Sequence, residues 1–316
     1  MNTNYFTAQH TALGFIGLGN MGNRIVRRLL AAGYKTLVYS RTPGEVNPLQ
    51  KQGATIAPSI AELAQGSNVI LSCVTDDAAV RNVYAEPQGV LRRARPGTVV
   101  LEMSTISPAT SREIAALGTQ LRVHVLDVAI SGSTPAAERG ELILFAGGNP
   151  NVFEAATPLF RVFAKKFFHI GPSGAGTTMK LVVNAILGIE MQAIAEAAAL
   201  GERSGLNRDV LLDVLSQTAV IAPAHLGKLG RAALGDYSPQ FPLRLMNKDF
   251  RLILDLAHSE EAHIPAVEAA FQVNNSALRS DGDKDFSVVI RHMELRDEES
   301  RTARAVLAPS IQRLAR

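Results

Sequence analysis

Lys180 and Asn184 are the first residues whose types and spacing could carry chemistry. Four positions apart, they share one face of any helix that contains them. Lys180 follows Gly174-Ala175-Gly176 and would stand near that helix's start. There the helix dipole opposes an ammonium charge, and partial burial adds a desolvation cost; both lower a lysine pKa toward neutrality. Such a lysine can serve as general acid and base. A helix lysine taken alone is more often a solvated surface charge, so the glycine-rich lead-in and Asn184 are what single this one out. Lys248-Asp249, after Phe241-Pro242-Leu243, read by pattern alone as ordinary charges near a helix start.

A second set could hold phosphate. Gly17-Leu18-Gly19-Asn20-Met21-Gly22 follows an apolar run and opens a helical stretch. In such a G-x-G-x-x-G turn the first glycine permits the tight bend, the second lets a pyrophosphate reach the backbone, and the third lets helix and strand pack closely. The ligand then meets unpaired N–H groups at the positive end of the helix. The next apolar run ends Val38-Tyr39-Ser40-Arg41-Thr42, with no carboxylate before Glu45. An acidic residue there would bind a ribose 2′-hydroxyl. Arg41 offers instead a fork of donors for a 2′-phosphate, with Ser40 and Thr42 adding hydroxyls. The expected cofactor is therefore NADP(H). A third set, from Asp127 to Ser133, ends a strand in small and hydroxylated residues. It reads either as a loop able to bind a carboxylate or as an ordinary turn.

The elements that must position these residues show in the apolar pattern. Residues 13–16, 35–39, 69–74, 98–103, 123–128 and 142–146 are strand candidates, and helical stretches such as 21–32, 60–64 and 107–117 separate several of them. This alternation predicts an α/β domain with a mostly parallel, doubly wound sheet. The continuous apolar runs fit strands buried on both faces. Beyond Gly171 the strand signal ends. Residues 177–204 predict one helix of roughly 25 residues, and the rest is helix-periodic. The boundary falls near residues 172–174, giving a dinucleotide-binding domain over 11–173 and an all-α domain over 174–316.

The bulk properties agree. A chain of 316 residues suits about two domains of roughly 100–200 residues. Apolar residues reach 47% and charged ones 19%, which excludes global disorder. The net charge of +3 has no clustered basic footprint, so nucleic acid is not an expected partner. The single cysteine, Cys73, cannot form an intrachain disulfide and is expected to be a small buried hydrophobe. The polar start of the chain does not read as a secretory signal. No apolar run reaches the roughly 18 residues of a membrane span, so a soluble, cytoplasmic protein is expected. The histidines His124, His169, His225, His258, His263 and His292 are scattered, and no metal is expected.

Taken together the segments resemble the β-hydroxyacid dehydrogenase family over nearly the whole chain, from Leu13 to about Arg291. Four motifs occur in family order. Gly17–Gly22 matches the cofactor loop. Asp127–Ser133 matches D-x-P-V-S-G-G, the segment that holds the substrate carboxylate. Gly174–Asn184 matches the segment carrying the catalytic lysine, here Lys180. Lys248-Asp249 matches the K-D pair near the active site. Ser104-Thr105-Ile106-Ser107-Pro108 is similar to the S-[ST]-I-x-P loop, which would put Thr105 by the nicotinamide, and Val74-Thr75 fits the loop that passes the cofactor's ribose and diphosphate. Three positions depart from the pattern: Ala129 replaces a proline, Ser133 the second glycine, and Val183 an asparagine. The lone Asn184, the Phe241-Pro242-Leu243 lead-in and the missing acid after the second strand look most like the glyoxylate/succinic semialdehyde reductase branch.

The resemblance implies an N-terminal Rossmann domain joined by a long helix to an all-α domain for substrate binding and dimerisation. It implies a reductase of a small carboxylated aldehyde or keto acid. Lys180 would be the proton donor, and Ser131, Gly132, Ser133, Asn184 and Lys248 would meet the substrate, Lys248 also reaching the cofactor. The long apolar helices suggest a homodimer or homotetramer. An imine reductase of the same architecture commonly carries tyrosine or aspartate in place of Lys180. A non-catalytic dinucleotide-binding sensor would be expected to lose the lysine, and a 6-phosphogluconate-type decarboxylating enzyme would need a larger second domain.

Overall fold

A computed structural model describes residues 6–295 of the chain. The C-terminal stretch of the expected second domain, residues 296–316, lies outside the described residues. The chain forms two compact units, dividing between Val182 and Val183.

In order, the first unit contains β1 (Ala12–Ile16), α1 (Asn20–Ala31), β2 (Lys35–Tyr39), α2 (Pro43–Gln50), β3 (Thr55–Ile56), α3 (Ile60–Gly66) and β4 (Val69–Ser72). There follow α4 (Asp77–Tyr84), α5 (Val90–Arg93), β5 (Val99–Glu102), α6 (Pro108–Gln120), β6 (His124–Ser131), α7 (Thr134–Arg139), β7 (Leu142–Gly147), α8 (Pro150–Phe163) and β8 (Ala164–Gly171). The strands form one sheet in the order β3-β2-β1-β4-β5-β6-β7-β8. Every pairing is parallel except β6 with β7. Strand order reverses between β1 and β4, where a doubly wound sheet opens a crevice at its carboxyl ends.

The apolar runs explain the central strands. Val69, Leu71, Val99 and Leu101 face one core cluster, with Phe15, Ile25 and Leu29. Ile70 and Val100 face another, with Leu63, Tyr84 and Ile114. Both faces are covered, so β4 and β5 carry no polar alternation. Caps fix the helix starts. Ser59 accepts the N–H of Glu62, Asp76 that of Ala79, and Ser107 that of Thr110.

Three details differ from the sequence expectation. β6 runs on to Ser131, so Ala129, Ile130 and Ser131 are strand rather than loop; antiparallel pairing with Phe145, Leu144 and Ile143 extends it. β3 and β8 are additional strands. β8 is an edge strand whose Lys165, Lys166, Phe168 and His169 are exposed, a composition that blunts an edge and hides the apolar signal. Cys73 is half-buried, because β4 ends one residue before it.

α9 (Ala175–Arg203) runs from the first unit into the second. The compact division lies about two turns inside it rather than at residues 173/174, because its first turn is tied into the sheet through Asp127. Residues 181, 184, 188, 191, 195 and 198 are buried along one stripe, at helical spacing. No uninterrupted apolar run of about 18 residues is expected from the sequence, yet α9 is long and apolar enough to span a membrane by length and composition alone. The buried stripe is what a core helix shows.

The second unit adds α10 (Arg208–Ser216), α11 (Pro223–Ala233), α12 (Leu243–Ser259) and α13 (Pro265–Asp281), with a 3-10 turn at Phe286–Val288. Asn207 caps α10 through the N–H groups of Asp209 and Val210. Pro223 and Pro265 open α11 and α13, where their missing N–H is harmless. A buried ion pair anchors this unit. Lys228 Nζ lies 2.7 and 2.8 Å from the two carboxylate oxygens of Asp285 and 4.6 Å from the centre of the Phe286 ring. Asp285 also accepts the N–H groups of Gln240 and Phe241, pinning the approach to α12.

Candidate active site

The glycine loop forms the turn between β1 and α1. Gly17 has φ +90°, a left-handed conformation that glycine adopts without strain. A Cβ there would lie 2.2 Å from the carbonyl oxygen of Cys73. A Cβ on Gly22 would lie 2.0 Å from Gly17 O and 2.9 Å from the Phe15 ring. Gly19 is the opposite case, since a Cβ there meets nothing within 4 Å. Two glycines are thus needed by the protein itself, and the third keeps an approach to the backbone open. No side chain caps α1, and its first turn, which includes Asn20 and Met21, holds no acid. These are the features of an anion site at a helix start, and they fit a dinucleotide pyrophosphate. Leu18 is buried in the core beneath the turn.

The ends of β2 and β4 flank this turn. Gly17 donates its N–H to Tyr39 O at 3.3 Å, which brings the Ser40-Arg41-Thr42 segment beside the glycine loop. Ser40 Oγ accepts the N–H of Thr42 at 3.2 Å, and Arg41 is exposed. At the end of β4, Val74 donates its N–H to Ser104 Oγ at 2.8 Å. Thr75 is exposed and donates to Asp76 Oδ2 at 3.1 Å. Thr105 follows Ser104 and is half-buried.

Asp127, on β6, fixes the start of α9. Its Oδ1 accepts the N–H of Gly174 at 2.8 Å, and its Oδ2 that of Thr177 at 2.9 Å. A carboxylate on otherwise unpaired N–H groups at a helix N-terminus is a favourable cap. Burial, opposed by these N–H donors, raises the Asp127 pKa. Gly176 allows the close fit, since a Cβ there would lie 2.4 Å from Phe145 O. Lys180 follows in the next turn, half-buried. Ser131 ends β6 half-buried, Gly132 turns with φ +136°, and the exposed Ser133 begins α7 without using its side chain as a cap.

In the second unit, three motif residues meet. Asn184 is 1% exposed and donates from Nδ2 to Asp249 Oδ2 at 2.6 Å. Lys248 Nζ lies 2.8 Å from Asp249 Oδ1. Lys248 and Asp249 sit in the second turn of α12, which begins at Leu243.

The structure thus gathers the glycine loop, the β2 end and the Val74 loop at the carboxyl ends of β1, β2 and β4, and separately joins Asn184 to Lys248 through Asp249. The sequence motifs include Asp127, Asp249 and Ser104 but do not show that Asp127 caps α9, that Asp249 holds Asn184, or that Ser104 accepts the N–H of Val74. Their partners lie 30 to 65 residues away, and no spacing rule reaches that far.

Comparisons with known proteins agree with this layout. Residues 12–171 match the family model described as the NAD binding domain of 6-phosphogluconate dehydrogenase. Residues 174–293 match the model described as the NAD-binding of NADP-dependent 3-hydroxyisobutyrate dehydrogenase. Glyoxylate/succinic semialdehyde reductase 1 of Arabidopsis thaliana is 35% identical over 287 residues, covering 90% of this chain and 99% of the relative. A probable mitochondrial 3-hydroxyisobutyrate dehydrogenase of Dictyostelium discoideum is 34% identical over 293 residues, covering 90% of this chain and 91% of the relative. The crystal structure of a 3-hydroxyisobutyrate dehydrogenase from Salmonella typhimurium superposes with a TM-score of 0.81 at 32% identity, covering 89% of this chain and 99% of that one. With an open Rossmann glycine loop, a helical second unit and both family models in sequence order, the chain belongs to the β-hydroxyacid dehydrogenase family of NAD(P)-dependent oxidoreductases.

Proposed function

We propose that the protein is an NADP(H)-dependent reductase of a small carboxylated aldehyde or keto acid, of the glyoxylate or succinic semialdehyde type, with Lys180 as general acid and base. The observation that carries this reading is the clamp of Asp127 on the first turn of α9, which holds the helix bearing Lys180 to the sheet of the dinucleotide unit. When bound, the reduced nicotinamide supplies the hydride. Lys180, as an ammonium, hydrogen-bonds the carbonyl oxygen and gives it a proton as negative charge develops, a contact strongest in the transition state. Ser131, Gly132 and Ser133 hold the substrate carboxylate through hydroxyl and N–H donors. Asn184 and Lys248, oriented by Asp249, add further donors, Lys248 serving substrate or cofactor. The exposed Arg41 beside the glycine loop, with no carboxylate on β2's end, supports NADP(H) over NAD(H). Exposed Leu206, Val210 and Val214 support association into a homodimer or homotetramer.

The test is NADPH oxidation on a panel of glyoxylate, succinic semialdehyde, tartronate semialdehyde, methylmalonate semialdehyde and a cyclic imine, with NADH in parallel. Turnover of a carboxylated aldehyde with NADPH is expected. Turnover of the imine alone would overturn the substrate class, and equal use of NADH would overturn the cofactor assignment.

A further inference from the structure

The carboxyl ends of β4 and β5 lie beside the middle of β6, and their register sets Ser72 opposite Glu102 and Glu102 opposite Asp127. Glu102 is only 3% exposed. Its Oε1 accepts the N–H of Ser104 at 2.9 Å and the hydroxyl of Ser72 at 3.4 Å. Ser72 Oγ accepts in turn from the Tyr84 hydroxyl at 2.5 Å. Ser104 passes the connection on, because its Oγ accepts the N–H of Val74. One hydrogen-bonded chain therefore runs from α4 through β4 and β5 to the loops after both strands. The loop after β4 is also the wall on which Gly17 turns, with the Cys73 carbonyl and then Val74 Cγ1 nearest to a Cβ there.

We propose that Glu102 is a positioning residue for the dinucleotide, its carboxyl locking the loops after β4 and β5 into the arrangement that supports the glycine turn. The proposal rests on the assignment of Gly17–Gly22, Val74-Thr75 and Thr105 to the cofactor. A structural carboxylate would ordinarily be paired with a cation. Among the described residues, Tyr84 from α4 and Asp127 from β6 face Glu102, and neither is a cation. Burial first, and then the charge of Asp127, push Glu102 up to about 8. At neutral pH the carboxyl is therefore largely protonated, with Oε1 accepting and Oε2 buried without a hydrogen-bond partner among the described residues. Ionising it places an unpaired charge beneath both loops.

Fluorescence titration of NADPH and NADH into the wild type, Glu102→Gln and Glu102→Leu, at intervals across about pH 6–9.5, tests this. Glu102→Gln keeps an Oε1 acceptor without the titration. It is expected to bind within about twofold of the wild type at neutral pH. Wild-type affinity is expected to fall as pH rises through about 8, by a factor that the Gln variant does not show. Glu102→Leu, checked for fold by circular dichroism, is expected to weaken binding about tenfold at neutral pH, the worth of one buried hydrogen bond. A folded Leu variant that binds like the wild type would overturn the proposal. If that variant does not fold, identical pH profiles for the wild type and Glu102→Gln would overturn it. A wild type that binds neither dinucleotide would instead overturn the cofactor assignment on which it rests.

Discussion

Asp127 Oδ2 accepts the backbone N–H of Thr177 across 50 residues of sequence, at 2.9 Å. That bond, with its companion to Gly174, fastens the start of the helix that carries Lys180 to the sheet that carries the glycine loop. Asp127→Ala leaves buried N–H groups unsatisfied, at about 1–3 kcal/mol each. A lower melting temperature and reduced turnover are expected together. Asp127→Asn, which keeps one acceptor, should fall between. Thermal unfolding and initial rates on the three proteins check this ordering.

The glycine loop allows a cleaner separation of folding from binding. Gly22→Ala places a methyl 2.0 Å from Gly17 O and is expected to destabilise the protein. Gly19→Ala meets nothing within 4 Å and is expected to melt within about 1 kcal/mol of the wild type. Its methyl would occupy the approach a pyrophosphate needs, so NADPH affinity should drop by about tenfold or more. Normal binding by Gly19→Ala would remove this loop from the cofactor site.

Arg41→Ala tests cofactor choice. The Michaelis constant for NADPH is expected to rise about tenfold to a hundredfold, the worth of a charge-assisted hydrogen-bond pair, while that for NADH changes little. A parallel change in both would show that Arg41 does not read the 2′-phosphate.

Much of this fold was legible because the central strands are buried on both faces. Val69-Ile70-Leu71 and Val99-Val100-Leu101 divide their side chains between two core clusters, which leaves an unbroken apolar run in the sequence. β8 was not legible for the converse reason. An edge strand with Lys165 and Lys166 facing solvent carries no such run. β6 was read three residues short because its end is fixed by pairing with β7, and small residues there look like a loop. The site divides in the same way. The glycine loop shows in the sequence because its three glycines fall within six positions. The contacts of Glu102 with Ser72, of Asp127 with Gly174 and Thr177, and of Asp249 with Asn184 are made only by the sheet or by packing, and no local spacing announces them.

The helical unit offers an electrostatic prediction. Lys228→Ala strands the buried Asp285 carboxylate and is expected to cost about 3–5 kcal/mol, whereas Lys228→Met, which keeps the packing against Phe286, should cost less. Burial alone would raise the Asp285 pKa, but Lys228 and the surrounding donors hold it below the usual carboxylate range. Its contribution is therefore present above the unfolded-state value and is lost as pH falls through the folded one. Denaturant unfolding of the three proteins at neutral and acidic pH measures both effects.

Glu102 has the opposite sign. Between the ordinary value of 4.5 and about 8 the folded state keeps a proton that the unfolded state has released. Stability should fall as pH rises through that window. The melting temperature of Glu102→Gln relative to wild type should rise from about pH 5 to about pH 8; a difference independent of pH would show that the buried carboxyl is not neutral.

The central claim concerns Lys180, and its most direct test is the turnover of Lys180→Ala with NADPH and a carboxylated aldehyde that the wild type reduces, measured beside NADPH affinity. A fall of about a hundredfold to ten-thousandfold in turnover with affinity retained is the expected result; near-normal turnover would contradict the account.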